Sequence, residues 1–233
     1  MLSRRLFLAF GGSAIVARSR LWAMNADMVP SNLDHILLGV SDLDRGIAWV
    51  EQHTGVRAVF GGVHPGRGTR NALLTLGSRR YLEIIAPDPQ QPGQGLALQL
   101  KSMNEPRVFN WAVHTNDIAA TAKRVAAAGF AINGPNDGAR ARPDGRTLRW
   151  KSFSLKDDRG GLLPFFIEWS RDSLHPSEDA PKGCTLKQFV VRSLSTQELE
   201  KLSQGLGLNV SVERAADPGL SAIVMSLKGQ VEL

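Results

Sequence analysis

The segment "LDHILLGVSDLDRGIAWVEQHTGVRAVF", residues 33–60, decides the fold. It contains an apolar strand, a helix, and a second short strand. Asp42 stands where an N-cap is expected and Gly55 where a helix ends, and both residue types are preferred at those positions. The segment therefore predicts a strand, a capped helix and another strand.

The same organisation recurs twice in the chain. "FNWAVHTNDIAATAKRVAAAGFAI" occupies residues 109–132 and "LKQFVVRSLSTQELEKLSQGLGLNVSV" residues 186–212. Asp117 is the expected N-cap of the second helix, and Ser195 with Glu198 matches a capping box in the third. Two more strand-like runs follow each copy, so the repeat predicts an α+β fold built from βαβββ units.

The predicted organisation has five parts, with a short helix near Leu96 to Ser102 in the linker. They are an export signal at 1–26, a first βαβββ unit at 33–87, a glycine- and proline-rich linker at 88–107, a second unit at 108–171, and a third, partial unit at 184–233.

The first residues resemble a twin-arginine export signal. "SRRLFL", residues 3–8, is followed by an apolar run, 6–17, that is too short to span a bilayer comfortably. We expect cleavage near Ala23 or Ala26, a periplasmic protein, and no stable membrane span after removal of the signal. In the alternative, translation starts at Met24 or Met28 and the protein is cytoplasmic.

The bulk charge does not indicate nucleic-acid binding. The formal net charge is +6, but four arginines lie in the first twenty residues, and the remaining 24 basic residues face 22 acidic ones. No nucleic-acid-binding motif accompanies the charge. The one cysteine, Cys184, excludes an intrachain disulfide and a cysteine zinc cluster.

A glutamate interrupts the apolar run "RYLEIIAPDP", residues 80–89. Burying a carboxylate without a partner is costly, so Glu83 predicts either a solvated face or a cation nearby. Glutamates recur in the last strands of the other copies, as Glu168 and Glu232, between apolar neighbours. Strand alternation then predicts that these glutamates face away from the helices. Aligning the capping aspartates places Asn110 over His35.

These residues resemble the vicinal oxygen chelate superfamily. "LDHILLGVSDLDRGIAWV", "GGVHPGRGTRNALLTLGSRRYLEIIAPDP", "ARPDGRTLRW" and "GLLPFFIEW" are similar to the glyoxalase-like domain family within it. The resemblance covers about residues 33–171 and is weaker over the third unit. It implies that the first two units pair around one cavity, with the third appended, and that metal ligands come from the first and last strands of both units.

Carried over residue by residue, the resemblance implies that His35, Glu83 and Glu168 hold a divalent metal, which would be Mn, Fe, Ni or Zn. Asn110 occupies the fourth position, where an amide is a poor ligand for a transition metal, so it is expected to bind the substrate. In the alternative no metal is bound, and His35 and Glu83 form a polar pair in a binding cleft.

Further candidate residues lie along the same strands and in two loops at the expected cavity mouth. Glu83 and His114 are predicted catalytic residues, the latter as a general base. The loop at 61–71 and the segment at 138–146 carry several arginines, which suit an anionic ligand. The predicted substrate-binding residues are His64, Arg70, Asn71, Asn110, Arg142 and Trp150.

The sequence thus predicts a small-molecule metalloenzyme, a lyase or isomerase acting on an anionic ligand with adjacent oxygens. The alternative is a metal-free periplasmic protein that binds or sequesters a small molecule. Whether the chain forms a homodimer is left open.

Overall fold

The computed structural model describes residues 29–233. The predicted export signal lies outside the described residues. The first unit forms the predicted elements: β1 (Leu33–Gly39), α1 (Leu43–Thr54), β2 (Val59–His64), β3 (Thr69–Thr75) and β4 (Tyr81–Pro87).

The second unit follows the linker helix and repeats the same order. Its elements, with the linker helix first, are α2 (Leu96–Lys101), β5 (Arg107–His114), α3 (Ile118–Ala127), β6 (Ile132–Ala141), β7 (Thr147–Leu155) and β8 (Phe165–Trp169).

Local chemistry explains where the helices of both units begin. The Asp42 side chain accepts a hydrogen bond from the Arg45 backbone N–H, and Asp117 accepts one from that of Ala120. Helix α1 ends at Gly55, which has a φ of 76°, a left-handed conformation that glycine adopts without a steric penalty. The capping aspartates named from sequence therefore act as caps. The capping box predicted for the third helix is wrong, because the Ser195 side chain makes no capping hydrogen bond and Glu198 accepts one from Arg159.

The two units share one eight-stranded sheet of order β2-β3-β4-β1-β5-β8-β7-β6. Strands β1 and β5 pair antiparallel at its centre and join the units. The sheet curls until its edge strands approach: a Cβ placed on Gly62 of β2 would lie 2.5 Å from the Ala141 carbonyl oxygen of β6. A curled sheet encloses a concave face, and this face forms a cavity.

The apolar core lies on the convex face, under α1 and α3. Ile36, Leu38, Leu82 and Ile84 are completely buried there, as is Trp111 from β5. These residues alternate with the polar residues of the same strands. Packing of this layer therefore directs the intervening side chains, His35 and Glu83 among them, to the concave side.

The third unit has the predicted element order but a different topology. Its elements are β9 (Thr185–Ser193), α4 (Thr196–Gly205), β10 (Ser211–Arg214), β11 (Gly219–Ser226) and β12 (Gly229–Glu232), in a separate sheet of order β10-β9-β11-β12. In each of the first two units, the first strand lies at one end of the unit's four strands and pairs with the fourth strand. In the third unit, the first strand, β9, lies between the second and third strands, β10 and β11. The third unit is thus not a topological copy of the other two. It packs on their helix side, where Phe189 meets Trp111 with ring centroids 5.0 Å apart.

Across residues 29–233, no helix is long and apolar enough to cross a membrane.

Candidate active site

The concave face of the curled sheet surrounds a cavity of about 1350 Å³. This volume is ample for a small-molecule ligand. Both units and the linker contribute walls, and the polar side chains among them include His35, His64, Asn71, Glu83, Asn110 and Arg140.

Glu83 lies in this wall, buried among polar groups. Its Oε1 accepts a hydrogen bond of 2.6 Å from Asn71 Nδ2, and its Oε2 lies 3.5 Å from His35 Nε2. His64 Nε2 is 3.7 Å from Oε1. We call these four side chains the Glu83 cluster: Glu83, His35, His64 and Asn71.

The surroundings of Glu83 keep its carboxylate ionised. Burial alone would raise its pKa, but the imidazoles of His64 and His35, the amide of Asn71 and the guanidinium of Arg140 outweigh burial and hold the pKa below its usual value. Glu83 is therefore a strong hydrogen-bond acceptor and a weak proton acceptor.

Asp34 holds His35 from the other side. His35 Nδ1 lies 2.6 Å from Asp34 Oδ1, so the carboxylate accepts the Nδ1 proton and Nε2 faces Glu83 and the cavity. His175 Nε2, at 3.2 Å, and Trp169 Nε1, at 3.1 Å, lie against the second oxygen of Asp34. Burial by itself raises the pKa of Asp34. The hydrogen bonds from His175 and His35 lower it by more than burial raises it, so the pKa is well below its usual value.

Sequence reasoning missed Asp34 and gave His175 no role. Leu33 pairs with Val113 and His35 with Ala112, so Asp34 is an extra residue in β1, a β-bulge. Simple alternation would place the Asp34 carboxylate on the face opposite His35. The bulge instead brings both side chains to the same face. An aspartate directly before a strand histidine was the one available signal.

His64 is oriented in a similar way. Its Nδ1 lies 2.9 Å from the Thr69 hydroxyl, and its Nε2 is directed at Glu83 and Asn71. Burial lowers the pKa of His64 to about 4, although the Glu83 carboxylate opposes this. The imidazole is therefore neutral at pH 7.

Arg140 connects the second unit to the Glu83 cluster. It extends from β6 across the closing edge of the sheet and donates a short hydrogen bond from Nη1 to Asn71 Oδ1. Only 4% of Arg140 is exposed. Burial lowers its pKa and the Glu83 carboxylate raises it, and an arginine stays charged in proteins at neutral pH.

Comparison with known proteins agrees with this architecture. Residues 33–207 match the family described as "Glyoxalase-like domain". The chain belongs to the glyoxalase-like domain family. Its place in the vicinal oxygen chelate superfamily confirms the resemblance found in the sequence.

The chain is also similar to several solved structures. A hypothetical protein from Staphylococcus aureus is 15% identical with a TM-score of 0.67, over 86% of this chain and 97% of that one. Methylmalonyl-CoA epimerase from Mycobacterium tuberculosis is 25% identical with a TM-score of 0.47, over 64% and 94% of the two chains. A Streptomyces coelicolor methylmalonyl-CoA epimerase in complex with 2-nitronate-propionyl-CoA is 20% identical with a TM-score of 0.47, over 63% and 99%. Among curated proteins, none matches the sequence.

Glu168 does not reach the cavity of this glyoxalase-like domain, so its predicted role as a metal ligand is wrong. Its Oε2 accepts a hydrogen bond of 2.7 Å from the Ile118 backbone N–H at the start of α3, where a negative charge is favourable. The wrong prediction for Glu168 comes from the register of the last strand in the second unit. Leu37 of β1 pairs with Glu83 in the first unit, and Ala112 of β5 pairs with Phe165 in the second.

Leu37 and Ala112 each lie five residues before the capping aspartate of the helix that follows. The counterpart of Glu83 in the second unit is therefore Phe165. Aligning the glutamates by their apolar neighbours shifted the strand by three residues.

Two predicted ligand-binding arginines also lie outside the cavity wall. Arg142 donates to both carboxylate oxygens of Asp179, at 3.0 and 2.6 Å, and does not line the cavity. Arg70 lies between the cavity-lining Thr69 and Asn71 in β3, so alternation turns it to the other face. Arg140, in the same segment as Arg142, is the arginine that the curl brings to the Glu83 cluster.

The remaining predicted residues divide in the same way. His64, Asn71, Asn110 and Trp150 line the cavity as expected. His114 does not: its Nε2 lies 2.8 Å from Asn116 Oδ1, at the end of β5, which leaves it unsuited to act as a base on a ligand in the cavity.

The donor set does not fit the divalent metal that the family resemblance implies. Of the three expected ligands, Glu168 lies elsewhere, and within the described chain no three His, Cys, Asp or Glu side chains converge on a common ion position. Beside Glu83 and His64 stands the Asn71 amino group, 2.6 and 3.4 Å away. An amino group donates hydrogen bonds and cannot ligate a metal.

Proposed function

We propose that the protein is a small-molecule enzyme of the glyoxalase-like kind, an isomerase or lyase that moves a proton on an anionic carbonyl compound. The observation that carries this proposal is the Asp34–His35 pair. An ionised, buried carboxylate binds one nitrogen of the imidazole and leaves the other facing a ligand-sized cavity.

His35 is the general base in this proposal. A carboxylate at Nδ1 fixes the tautomer and ring orientation, and it stabilises the imidazolium that forms when Nε2 accepts a proton. Tyr81 stacks on the His35 ring at 4.4 Å and Phe165 packs edge-on at 5.4 Å, so the ring has little freedom to turn.

Arg140 stabilises the negative charge that develops. When a C–H bond next to a carbonyl breaks, the proton goes to His35 Nε2 and the bonding electron pair delocalises onto the carbonyl oxygen. In a 2-oxo acid this oxygen is next to the carboxylate, so a guanidinium that binds the carboxylate also lies near the developing negative charge and favours the enolate. Return of the proton to the same carbon gives exchange or epimerisation, and return to a neighbouring atom gives isomerisation.

Glu83 has a supporting role in this scheme. Its lowered pKa makes it a poor base at neutral pH, so it is not the group that accepts the proton. It orients Asn71, and its charge near His35 Nε2 stabilises the protonated imidazole.

Deuterium exchange tests the proposal. The purified protein in D₂O is incubated with 2-oxobutyrate, and loss of the C3 proton signal is followed by NMR. We expect catalysed exchange in the wild type and background exchange in His35→Gln. His53→Gln, at the exposed end of α1, is the matched control and retains activity. Equal exchange in wild type and His35→Gln would contradict the role of His35.

A metal-free binding or sequestering protein is the second candidate function. The observation that favours it is the ionised Glu83. This carboxylate is better suited to accept a hydrogen bond from a ligand's N–H or O–H group than to remove a proton as a base. Ligand-induced stabilisation by 2-oxobutyrate without any catalysed exchange would support this function in place of the enzyme. For both candidates we propose export to the periplasm, on the strength of the N-terminal sequence.

A further inference from the structure

We propose that Arg140 is the cation of this cavity, that it binds the carboxylate of the substrate, and that it keeps divalent ions out of the Glu83 cluster. This deepens the proposed function, on which it rests, by naming the anionic group that the substrate must carry. Four observations support it.

The first observation is the unsatisfied capacity of Arg140. Its guanidinium has five N–H groups. Within residues 29–233, its hydrogen-bond acceptor is Asn71 Oδ1, and the side chain lines the cavity while 96% buried. A buried cation needs further acceptors to offset its desolvation. A carboxylate in the cavity supplies them, because its two oxygens match the planar guanidinium fork.

The second observation is the space that the chain leaves for this contact. A Cβ on Gly61 would lie 2.5 Å from Arg140 Nη1 and 2.5 Å from Asn71 Oδ1. Real Cβ atoms do not approach so closely. Gly61 is therefore needed for clearance between the guanidinium and the amide, and any larger residue would separate them.

The third observation is that Arg140 decides which way the Asn71 amide faces. Arginine has only donors, so the oxygen of Asn71 must face it. The amino group is then left for Glu83, at 2.6 Å, and for His64, at 3.4 Å. A metal ion entering between Glu83 and His64 would meet N–H bonds rather than a lone pair.

The fourth observation is that the rest of the cluster is arranged as metal ligands usually are. His35 and His64 each have Nδ1 held by an oxygen, of Asp34 and Thr69 respectively, and each directs Nε2 at Glu83. Metal-binding histidines are commonly oriented by such a partner at the other nitrogen. The feature that opposes an ion is thus the Arg140–Asn71 pair.

Removing the guanidinium should open the cluster to a metal ion. In Arg140→Met the Asn71 side chain can rotate and present Oδ1, and the positive charge that repels a divalent ion is gone. The two imidazoles and the Glu83 carboxylate do not converge on one ion position in the wild type, and small side-chain shifts around the freed Asn71 oxygen would bring them within reach of one transition-metal ion.

The test measures melting temperature and metal content of the purified wild type, Arg140→Met and Arg142→Met. Arg142 is the matched control, because it lies two residues away and pairs with Asp179 outside the cavity. With NiCl₂ alone we expect little change in the wild type and the control. Arg140→Met should gain about one bound ion per chain and a higher melting temperature.

The anion is tested with 2-oxobutyrate and its methyl ester on the same proteins. The wild type and Arg142→Met should bind the acid at least about tenfold more tightly than the ester, the equivalent of one charged hydrogen bond. Arg140→Met should lose this preference. Gly61→Ala, which keeps the charge but displaces the guanidinium, should reduce it as well, and it replaces Arg140→Met if that variant does not fold.

Two results would overturn the proposal. One is a wild type that binds a stoichiometric ion through Glu83, shown by loss of the ion in Glu83→Gln. The other is a wild type that binds acid and ester equally. Both tests measure binding and do not depend on deuterium exchange. Failure of exchange alone would contradict the enzyme function. The role of Arg140 would then still be decided by the two binding tests.

Discussion

The Nδ1 atom of His35 lies 2.6 Å from Oδ1 of Asp34, its neighbour in the chain. Adjacent residues of a regular strand point to opposite faces, and the β-bulge in β1 brings these two together. The bulge, which is set by the pairing of β1 with β5, thus supplies the carboxylate that orients the histidine. His175 and Trp169 then fix Asp34 from the second unit's side.

Asp34→Asn should lower the rate of deuterium exchange while leaving 2-oxobutyrate binding nearly unchanged. Asp34 positions His35 and stabilises its protonated form without touching the ligand. Loss of such assistance costs about 10²-fold or more in rate. Steady-state exchange kinetics separate the rate from the apparent affinity, and Asp172→Asn at the surface is the control. A parallel loss of affinity and rate would mean that Asp34 only maintains the shape of the cavity.

Stability should fall as the pH is lowered from about 6.5 to about 4, because of His64. Burial lowers its folded-state pKa to about 4 from the ordinary 6.5, so in this window the unfolded chain binds the proton and the folded chain does not. The free energy of unfolding then decreases by up to about 3 kcal/mol. Urea unfolding at several pH values measures it.

His64→Gln should flatten this dependence, since glutamine does not titrate. Below the window a second loss is expected, because Glu83 and Asp34 have lowered pKa values and their stabilisation disappears as the pH falls through them. Identical pH dependence between 6.5 and 4 in wild type and His64→Gln would contradict the burial of a neutral imidazole.

Gly61→Ala should destabilise the protein by about 1–3 kcal/mol, as overpacking in a tight site does. The added methyl group would contact both Arg140 and Asn71 at 2.5 Å. Gly219→Ala, in a strand of the third unit where the nearest atom is 4.0 Å away, is the matched control and should change stability little. Thermal unfolding measures both, and equal effects would argue against the close approach at Gly61.

Glu168→Gln should lower the free energy of unfolding by about 0.3–1 kcal/mol, the usual value of a negative charge at a helix N-terminus. Its carboxylate accepts the Ile118 N–H at the start of α3 and does not line the cavity. Binding of 2-oxobutyrate should therefore stay at the wild-type level. A large loss of ligand binding with unchanged stability would instead place Glu168 in the site.

Replacing Arg4 and Arg5 with lysine should leave the precursor in the cytoplasm. The prediction comes from the twin-arginine stretch at residues 3–8. Cell fractionation and immunoblotting measure the distribution, and replacing Arg18 and Arg20 with lysine is the control. Unchanged recovery from the periplasm would exclude this export route.

The cavity residues that were predicted well are those whose position depends on a neighbouring strand residue. His35 and Glu83 follow from alternation with buried apolar residues in the same strand, whereas Asn71 was predicted as part of the segment at 61–71. The residues that were misplaced depend on pairing with other strands. Glu168 was misplaced because the register of β8 against β5 cannot be read from the sequence. Arg142 was preferred to Arg140 because nothing in their shared segment indicates which side chain reaches β3.

The sequence by itself determined the helices, the aspartate caps of α1 and α3, the βαβββ order, the family, and the polar face of the first unit. These depend on residues a few positions apart, so local hydrogen bonds and burial are sufficient to specify them. Only the tertiary structure decided the bulge that brings Asp34 beside His35, the register that removes Glu168 from the cavity, and the curl that brings Arg140 to Asn71. These depend on contacts between residues about 50 or more positions apart, such as Ala112 with Phe165 and Asn71 with Arg140. Such contacts form only when the whole sheet is assembled, because their position is set by the combined twist and pairing of all eight strands.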